Sequence, residues 1–171
     1  MFTIGHSNLS FDAFVAALQQ AGVDLVVDVR SAPYSQYNPQ FNREMLERGL
    51  ETPGIGYRFA GESLGGRPAD PTCYRIWPPP DEREAFLEAV DYEAVAERSW
   101  FRKGVERLID LAATHTPAMM CSEEDPQRCH RYHLITQALL PRVEVVDIRT
   151  SGSEGVTLRP ALPRPRQMAL M

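Results

Sequence analysis

The sequence predicts a single α/β domain with a mostly parallel sheet flanked by helices. Three observations carry that expectation. Apolar runs of strand length alternate with segments of helical periodicity, and parallel neighbours need crossovers that helices supply. The run Leu25-Val26-Val27-Asp28-Val29 is largely β-branched and apolar on both parities, as suits a strand covered on both faces. The chain has 171 residues, 43% hydrophobic and 24% charged, which is enough to bury a core unaided and too apolar for a disordered chain.

Residues 2–5 form a first strand ending at Gly5, and Ser10 then caps a helix with Phe11, Phe14, Val15, Leu18 and Ala21 at helical spacing, closed by Gly22. A second strand over 25–29 ends near Arg30. Proline, serine, asparagine and tyrosine make 31–41 a loop, after which Asn42 caps a helix carrying Met45, Leu46 and Leu50. A third strand covers 56–59. The three glycines and five prolines of 61–80 predict a long surface loop or lid. Asp81 and Glu84 form an approximate capping box for a helix using Phe86, Leu87 and Val90, and Val105, Leu108, Ile109 and Ala112 mark another. Residues 117–121 read as a fourth strand. Asp125-Pro126 then supplies a cap and a first-turn proline for a helix reaching about Leu140, and 143–148 is a fifth strand. The domain is expected over 1–150, with 151–171 a proline-rich C-terminal tail packing on it or trailing from it. No internal repeat or boundary is visible.

Lysine plus arginine number 18 against 23 acidic residues, a formal charge of −5. No overall positive field favours nucleic acid or an anionic membrane, so an anion site must be local. All the basic residues except Lys103 are arginine, the side chain suited to bidentate phosphate or carboxylate recognition, although coding bias produces the same pattern. The three cysteines are odd in number, and the N-terminus lacks the pattern of a signal peptide, so a cytoplasmic location is expected. No apolar run approaches the roughly 20 residues that cross a bilayer, and no membrane partner is expected.

In parallel sheets, ligands bind beyond the carboxyl ends of the strands. Those ends carry His6 and Ser7, Asp28 and Arg30, Tyr57 followed by Gly65-Gly66-Arg67, and Cys121-Ser122-Glu123-Glu124. The next helix brings Cys129, His130 and Arg131 to the same edge, near the partial positive charge of its N-terminus. Each residue alone has a structural explanation, such as a small core thiol, a loop-pinning ion pair or a turn glycine. Their convergence favours a polar pocket.

The strings TIGHS (3–7), DVRSAPYS (28–35), FN (41–42), GIGY (54–57), LGGR (64–67) and CSEEDPQRCHR (121–131) resemble, in order, the bacterial and archaeal family called domain of unknown function 488. The resemblance spans roughly residues 3–148. It implies a compact α/β domain whose signature falls on His6, Asp28, Arg30, Gly65, Gly66, Cys121, Glu123, Cys129, His130 and Arg131, and it brings no settled reaction.

The reading the residues favour is an enzyme acting on an anionic ligand, a small anion or one that is nucleotide-like or nucleic-acid-derived. Cys121, His130, Glu123 and Asp28 are its candidate catalytic groups, as nucleophile, acid/base and orienting carboxylates, and His6, Ser7, Arg30, Gly65, Gly66, Arg67, Cys129 and Arg131 its candidate ligand-binding groups. A Cys-x5-Arg phosphatase loop does not fit, because the arginine after Cys121 comes one place late and acids intervene. A rhodanese-like sulfurtransferase matches Val27-Asp28-Val29-Arg30, but the acids after Cys121 would repel its anionic substrates. A zinc site drawing on Cys121, Cys129, His130 and His6 is the metal alternative. Against it stand the lack of a short Cys-x2-Cys knuckle and the expectation that consecutive helical residues Cys129 and His130 diverge by about 100°. No metal or cofactor is therefore expected. A transient Cys121–Cys129 disulfide is a related alternative. A non-catalytic module binding a nucleotide or nucleic acid also stays open, because aromatic and basic residues mix at Tyr34, Tyr37, Phe41, Arg43, Tyr57, Arg58, Tyr74, Arg75 and Trp77.

Overall fold

A computed structural model describes residues 1–150 and 155–164. Strands β1 (Phe2–Gly5), β2 (Leu25–Asp28), β3 (Gly56–Phe59), β4 (Pro117–Cys121), β5 (Val146–Arg149) and β6 (Thr157–Pro160) make one sheet in the order β3-β2-β4-β1-β5-β6. The first five are parallel, and β6 runs antiparallel on β5.

The two-residue period of the strands explains the doubly apolar β2. Ile4, Val26, Ala118, Met120 and Ile148 face a layer built by α1 (Phe11–Gln20) and α2 (Arg43–Glu51), with Phe14, Leu18, Leu46 and Leu50 packed on them. Leu25, Val27, Met119 and Cys121 face the opposite layer, which includes α6 (Ser99–Ala112) with Phe101, Val105 and Leu108. The neighbours β1 and β4 send their chains in opposite directions, β1 toward β2 and β4 toward β5. In an open α/β sheet the crevice beyond such a point is where ligands bind.

Most expected elements form, and the departures have local causes. Ser10 caps α1 by accepting the Ala13 N–H at 3.2 Å. Replacing Ser10 with alanine should therefore lower the unfolding free energy by about 1 kcal/mol. Urea denaturation checks this, and a loss under about 0.3 kcal/mol would mean the cap contributes nothing. Asn42 stands at the start of α2, but its Oδ1 accepts the Ser35 N–H at 2.7 Å, so it ties down the preceding loop. Met45 is exposed, leaving Leu46 and Leu50 to anchor that helix. Within 61–80, where only loop is expected, the chain forms a single turn α3 (Gly61–Leu64) and a 3-10 turn Pro71–Cys73. The helix α4 (Arg83–Ala89) starts after Glu82, one residue later than an Asp81 cap would place it. The side chain of Glu84, the other half of the expected capping box, lies outside the described residues. An additional helix α5 (Tyr92–Glu97) is capped by Asp91, whose carboxylate accepts the N–H groups of Glu93 and Ala94. Part of the expected tail adds β6 to the sheet, while 165–171 lies outside the described residues.

The expected helix from Pro126 to about Leu140 is instead broken near its start. Asp125 accepts the Gln127 N–H and caps only the 3-10 turn Pro126–Arg128. Cys129 is extended at φ −140°, ψ 143°. The chain then runs through a π-helical stretch Arg131–Thr136 into the turn α7 (Gln137–Leu139). The N–H of Arg131 donates to Cys129 Sγ at 3.4 Å, a side-chain bond competing with helical pairing. Among the described residues no helix is long and apolar enough to cross a membrane.

Candidate functional site

A cavity of about 310 Å³ opens where the carboxyl ends of β2 and β4 meet the Gly65-Gly66-Arg67 turn. Of the residues singled out from the sequence, Arg30, Gly66, Arg67, Cys121, Glu123, Cys129 and His130 line it. Asp28, His6, Ser7, Gly65 and Arg131 are not among its lining residues and act from behind the wall. Ser31, Phe86 and Arg128, for which the sequence offered no site role, also line it, as does Tyr34, which the sequence offered only as part of a stacking surface for bases. Arg128 had the clearest signal, because it falls between Asp125-Pro126 and Cys129 on the segment already expected to reach the site.

Extended Cys129 turns its side chain back beside its neighbour's, so the expected helical divergence does not arise. Cys121 Sγ lies 3.8 Å and Cys129 Sγ 3.7 Å from His130 Nδ1, and these three atoms all fall within 4.8 Å of one another. His130 Nε2 is 3.0 Å from the Val29 carbonyl oxygen. A carbonyl can only accept, so Nε2 carries the proton and donates, and a neutral ring presents the Nδ1 lone pair to the sulfurs. Gly66 closes against the ring. A Cβ there would sit 2.6 Å from His130 Cγ, so only glycine lets the backbone approach this near.

The two thiols differ electrostatically. Burial pushes Cys129 up, but its hydrogen bond with Cys121 and the charge and N–H of Arg131 outweigh burial and bring it down to about 7. Cys121 is raised well above an ordinary thiol, first by its hydrogen bond to Cys129 and then by burial. The pair therefore loses its two protons in well-separated steps.

The wall behind the cavity is an ionic network. Asp28 is completely buried, and its carboxylate accepts from Arg30 Nε at 2.9 Å, Arg30 Nη2 at 2.7 Å and the Tyr57 hydroxyl at 2.8 Å. Arg30 Nη2 also donates to the Phe41 carbonyl at 2.7 Å, and Nη1 lies 3.3 Å from His6 Nε2. The His6 ring stacks on Phe41 at 4.3 Å between centroids. Burial first, and then the charge of Asp28, raise the Tyr57 hydroxyl far above its ordinary value, so it stays a donor. Asp28 and Arg30 thus hold each other and the 31–41 loop in place.

Arg131 is also completely buried. It donates through Nε to Thr3 Oγ1 at 3.0 Å, through Nη1 to the Glu123 carbonyl, and through Nη2 to the Glu124 carbonyl at 2.8 Å. It fixes the backbone after Cys121 and does not reach the cavity. Beneath the same backbone, a Cβ on Gly5 would lie 1.7 Å from the Glu123 carbonyl oxygen, so β1 requires glycine there. His6 and Ser7 extend the β1–β4 pairing by donating their N–H groups to the Cys121 and Ser122 carbonyls, each at 2.9 Å. Gly65 packs against Ser31, with no room for a side chain.

At the mouth, Arg67 holds its guanidinium carbon 4.3 Å from the centre of the Phe86 ring, and its backbone N–H donates to Ser31 Oγ at 2.9 Å. Arg67 and Arg128 therefore flank a cavity whose floor carries two thiols and an imidazole. The model of a family described as Domain of unknown function DUF488 matches residues 10–138. No curated protein and no solved structure matches the chain.

Proposed function

The chain belongs to the Domain of unknown function DUF488 family, and from that premise, which brings no reaction with it, we propose an enzyme acting on a small anionic ligand. Arg67 and Arg128 hold the anionic group, and Cys121, Cys129 and His130 form the reacting centre. The observation that carries this reading is the meeting of both sulfurs and His130 Nδ1 within 4.8 Å in a cavity that these two arginines also line. Structural thiols are usually buried in apolar surroundings away from ligand space. A cavity of about 310 Å³ is at the lower end of small-molecule sites, roughly 300–1,000 Å³. Glu123 is the lining carboxylate placed to take up a proton.

Titration calorimetry with inorganic phosphate tests the anion site. Arg67→Ala and Arg128→Ala should each weaken binding by about tenfold, or about 1.4 kcal/mol. Phosphate affinity unchanged in the double variant would end the reading. Cys121→Ser should abolish any turnover found in a substrate screen, whereas Cys73→Ala, a buried thiol outside this cavity, should retain turnover.

A further inference from the structure

Two sulfurs and an imidazole nitrogen facing one point have a chemistry beyond nucleophilic attack. We propose that Cys121 Sγ, Cys129 Sγ and His130 Nδ1 bind a single zinc ion, with its fourth position open to the cavity for water or an oxygen of the anionic ligand. The inference rests on the reading of this cluster as the reacting centre, and gives that centre its identity.

Four features of the site support it. The spacing is right: with zinc–sulfur bonds of about 2.3 Å and zinc–nitrogen bonds of about 2.0–2.1 Å, tetrahedral geometry sets sulfur and nitrogen ligands about 3.5 Å apart. The two observed separations are 3.8 and 3.7 Å. The imidazole is prepared, because a ligating histidine typically donates its other N–H to a fixed acceptor, as His130 does to the Val29 carbonyl at 3.0 Å. Cys129 Sγ receives the Arg131 N–H at 3.4 Å, which orients a sulfur lone pair and tempers its charge. Finally, all three residues line the cavity, and three protein ligands with one accessible side describe a catalytic zinc site, whereas structural zinc is enclosed by four.

The donor set also selects the ion. Thiolate and imidazole suit zinc and disfavour magnesium and calcium, which take oxygen ligands. Binding exchanges two thiol protons for Zn²⁺, so the two thiolates neutralise the ion and the buried centre carries no net charge. A neutral centre suits ligands that are almost wholly buried. His6 stays outside the set, because its Nδ1 is 2.8 Å from the Ser7 carbonyl oxygen and its Nε2 faces Arg30. The divergence of consecutive Cys129 and His130 argues against zinc only if residue 129 is helical, and it is extended.

Elemental analysis of untagged protein, purified without chelators and kept reduced, provides the test, together with Co²⁺ titration of the metal-stripped wild type. The expected result is about one zinc per chain, with a thiolate-to-cobalt charge-transfer band and the strong visible bands of tetrahedral Co²⁺. Changes to outer-shell partners alone lower metal affinity roughly 10–100-fold, so Cys129→Ser and His130→Ala should each lose about 100-fold or more. No zinc and no cobalt–thiolate band in the wild type would overturn the inference without reference to any variant. So would unchanged metal binding in a Cys129→Ser protein whose circular dichroism is native, or a Cys121–Cys129 disulfide persisting under reduction. The phosphate titrations separate the two readings. A metal-free protein that still binds phosphate through Arg67 and Arg128 loses the zinc centre and keeps the anion site, and a zinc protein blind to phosphate does the reverse.

Discussion

Arg131→Met is expected to lower the unfolding free energy by about 3–5 kcal/mol, the range for removing one partner from a buried charged network. The side chain is completely buried, and its guanidinium serves Thr3 Oγ1 and the carbonyls of Glu123 and Glu124. Methionine fills similar space but donates nothing, so two carbonyls lose their donor, at about 1–3 kcal/mol for each one left buried and unsatisfied. A second consequence follows from Thr3. Its hydroxyl donates to Asp147 Oδ1 at 2.9 Å while accepting from Arg131, so a buried carboxylate loses its relayed cation. Burial already raises the Asp147 carboxyl, with Arg131 among the charges that offset it. Urea unfolding followed by circular dichroism measures the effect. The exposed Arg48 of α2 provides the comparison, since Arg48→Met should stay within about 0.5 kcal/mol of wild type. A loss below about 1 kcal/mol for Arg131→Met would show that this guanidinium is not desolvated.

The same residue marks the limit of what the sequence discloses. The strands were legible because burial on both faces makes β2 apolar on both parities and because β4 reads as a continuous apolar run, Pro117-Ala118-Met119-Met120-Cys121. The edge where the cavity opens was legible from topology alone, since a parallel sheet gathers its strand ends. The roles of the charged residues there were not. Arginine at a strand end looks identical in sequence whether it meets a ligand or a backbone carbonyl: Arg131 takes the second role, Arg30 lines the cavity but gives its Nη2 to Asp28 and the Phe41 carbonyl, and Arg67 and Arg128 line the cavity at its mouth. The break at Cys129 escaped because Asp-Pro predicts where a helix starts and contains nothing about where the next bond is diverted to sulfur. Strand β6 escaped because Thr157-Leu158-Arg159-Pro160 sits on an edge, with too little burial to leave an alternating apolar pattern.

Asp28→Asn is expected to cost about as much as the arginine change, about 3–5 kcal/mol, because it leaves Arg30 buried beside a neutral amide. The wild-type carboxylate takes two guanidinium bonds, the Arg30 N–H at 3.1 Å and the Tyr57 hydroxyl. An amide can keep its carbonyl oxygen in place, but its NH₂ would then confront an Arg30 nitrogen, setting donor against donor. Arg30→Met should be comparably harmful for the converse reason, since it strands a buried carboxylate and removes the donor to Phe41. A double-mutant cycle is decisive. If the damage arises from an uncompensated charge, Asp28→Asn combined with Arg30→Met should cost less than the sum of the two singles by about 1.5–3 kcal/mol. Strict additivity would mean that the two residues stabilise the protein separately, and that the 31–41 loop owes its position to other contacts. The cycle also bears on the site. A compensated double variant that refolds and still binds phosphate would place Asp28 and Arg30 in the support of the cavity wall, leaving recognition to Arg67 and Arg128.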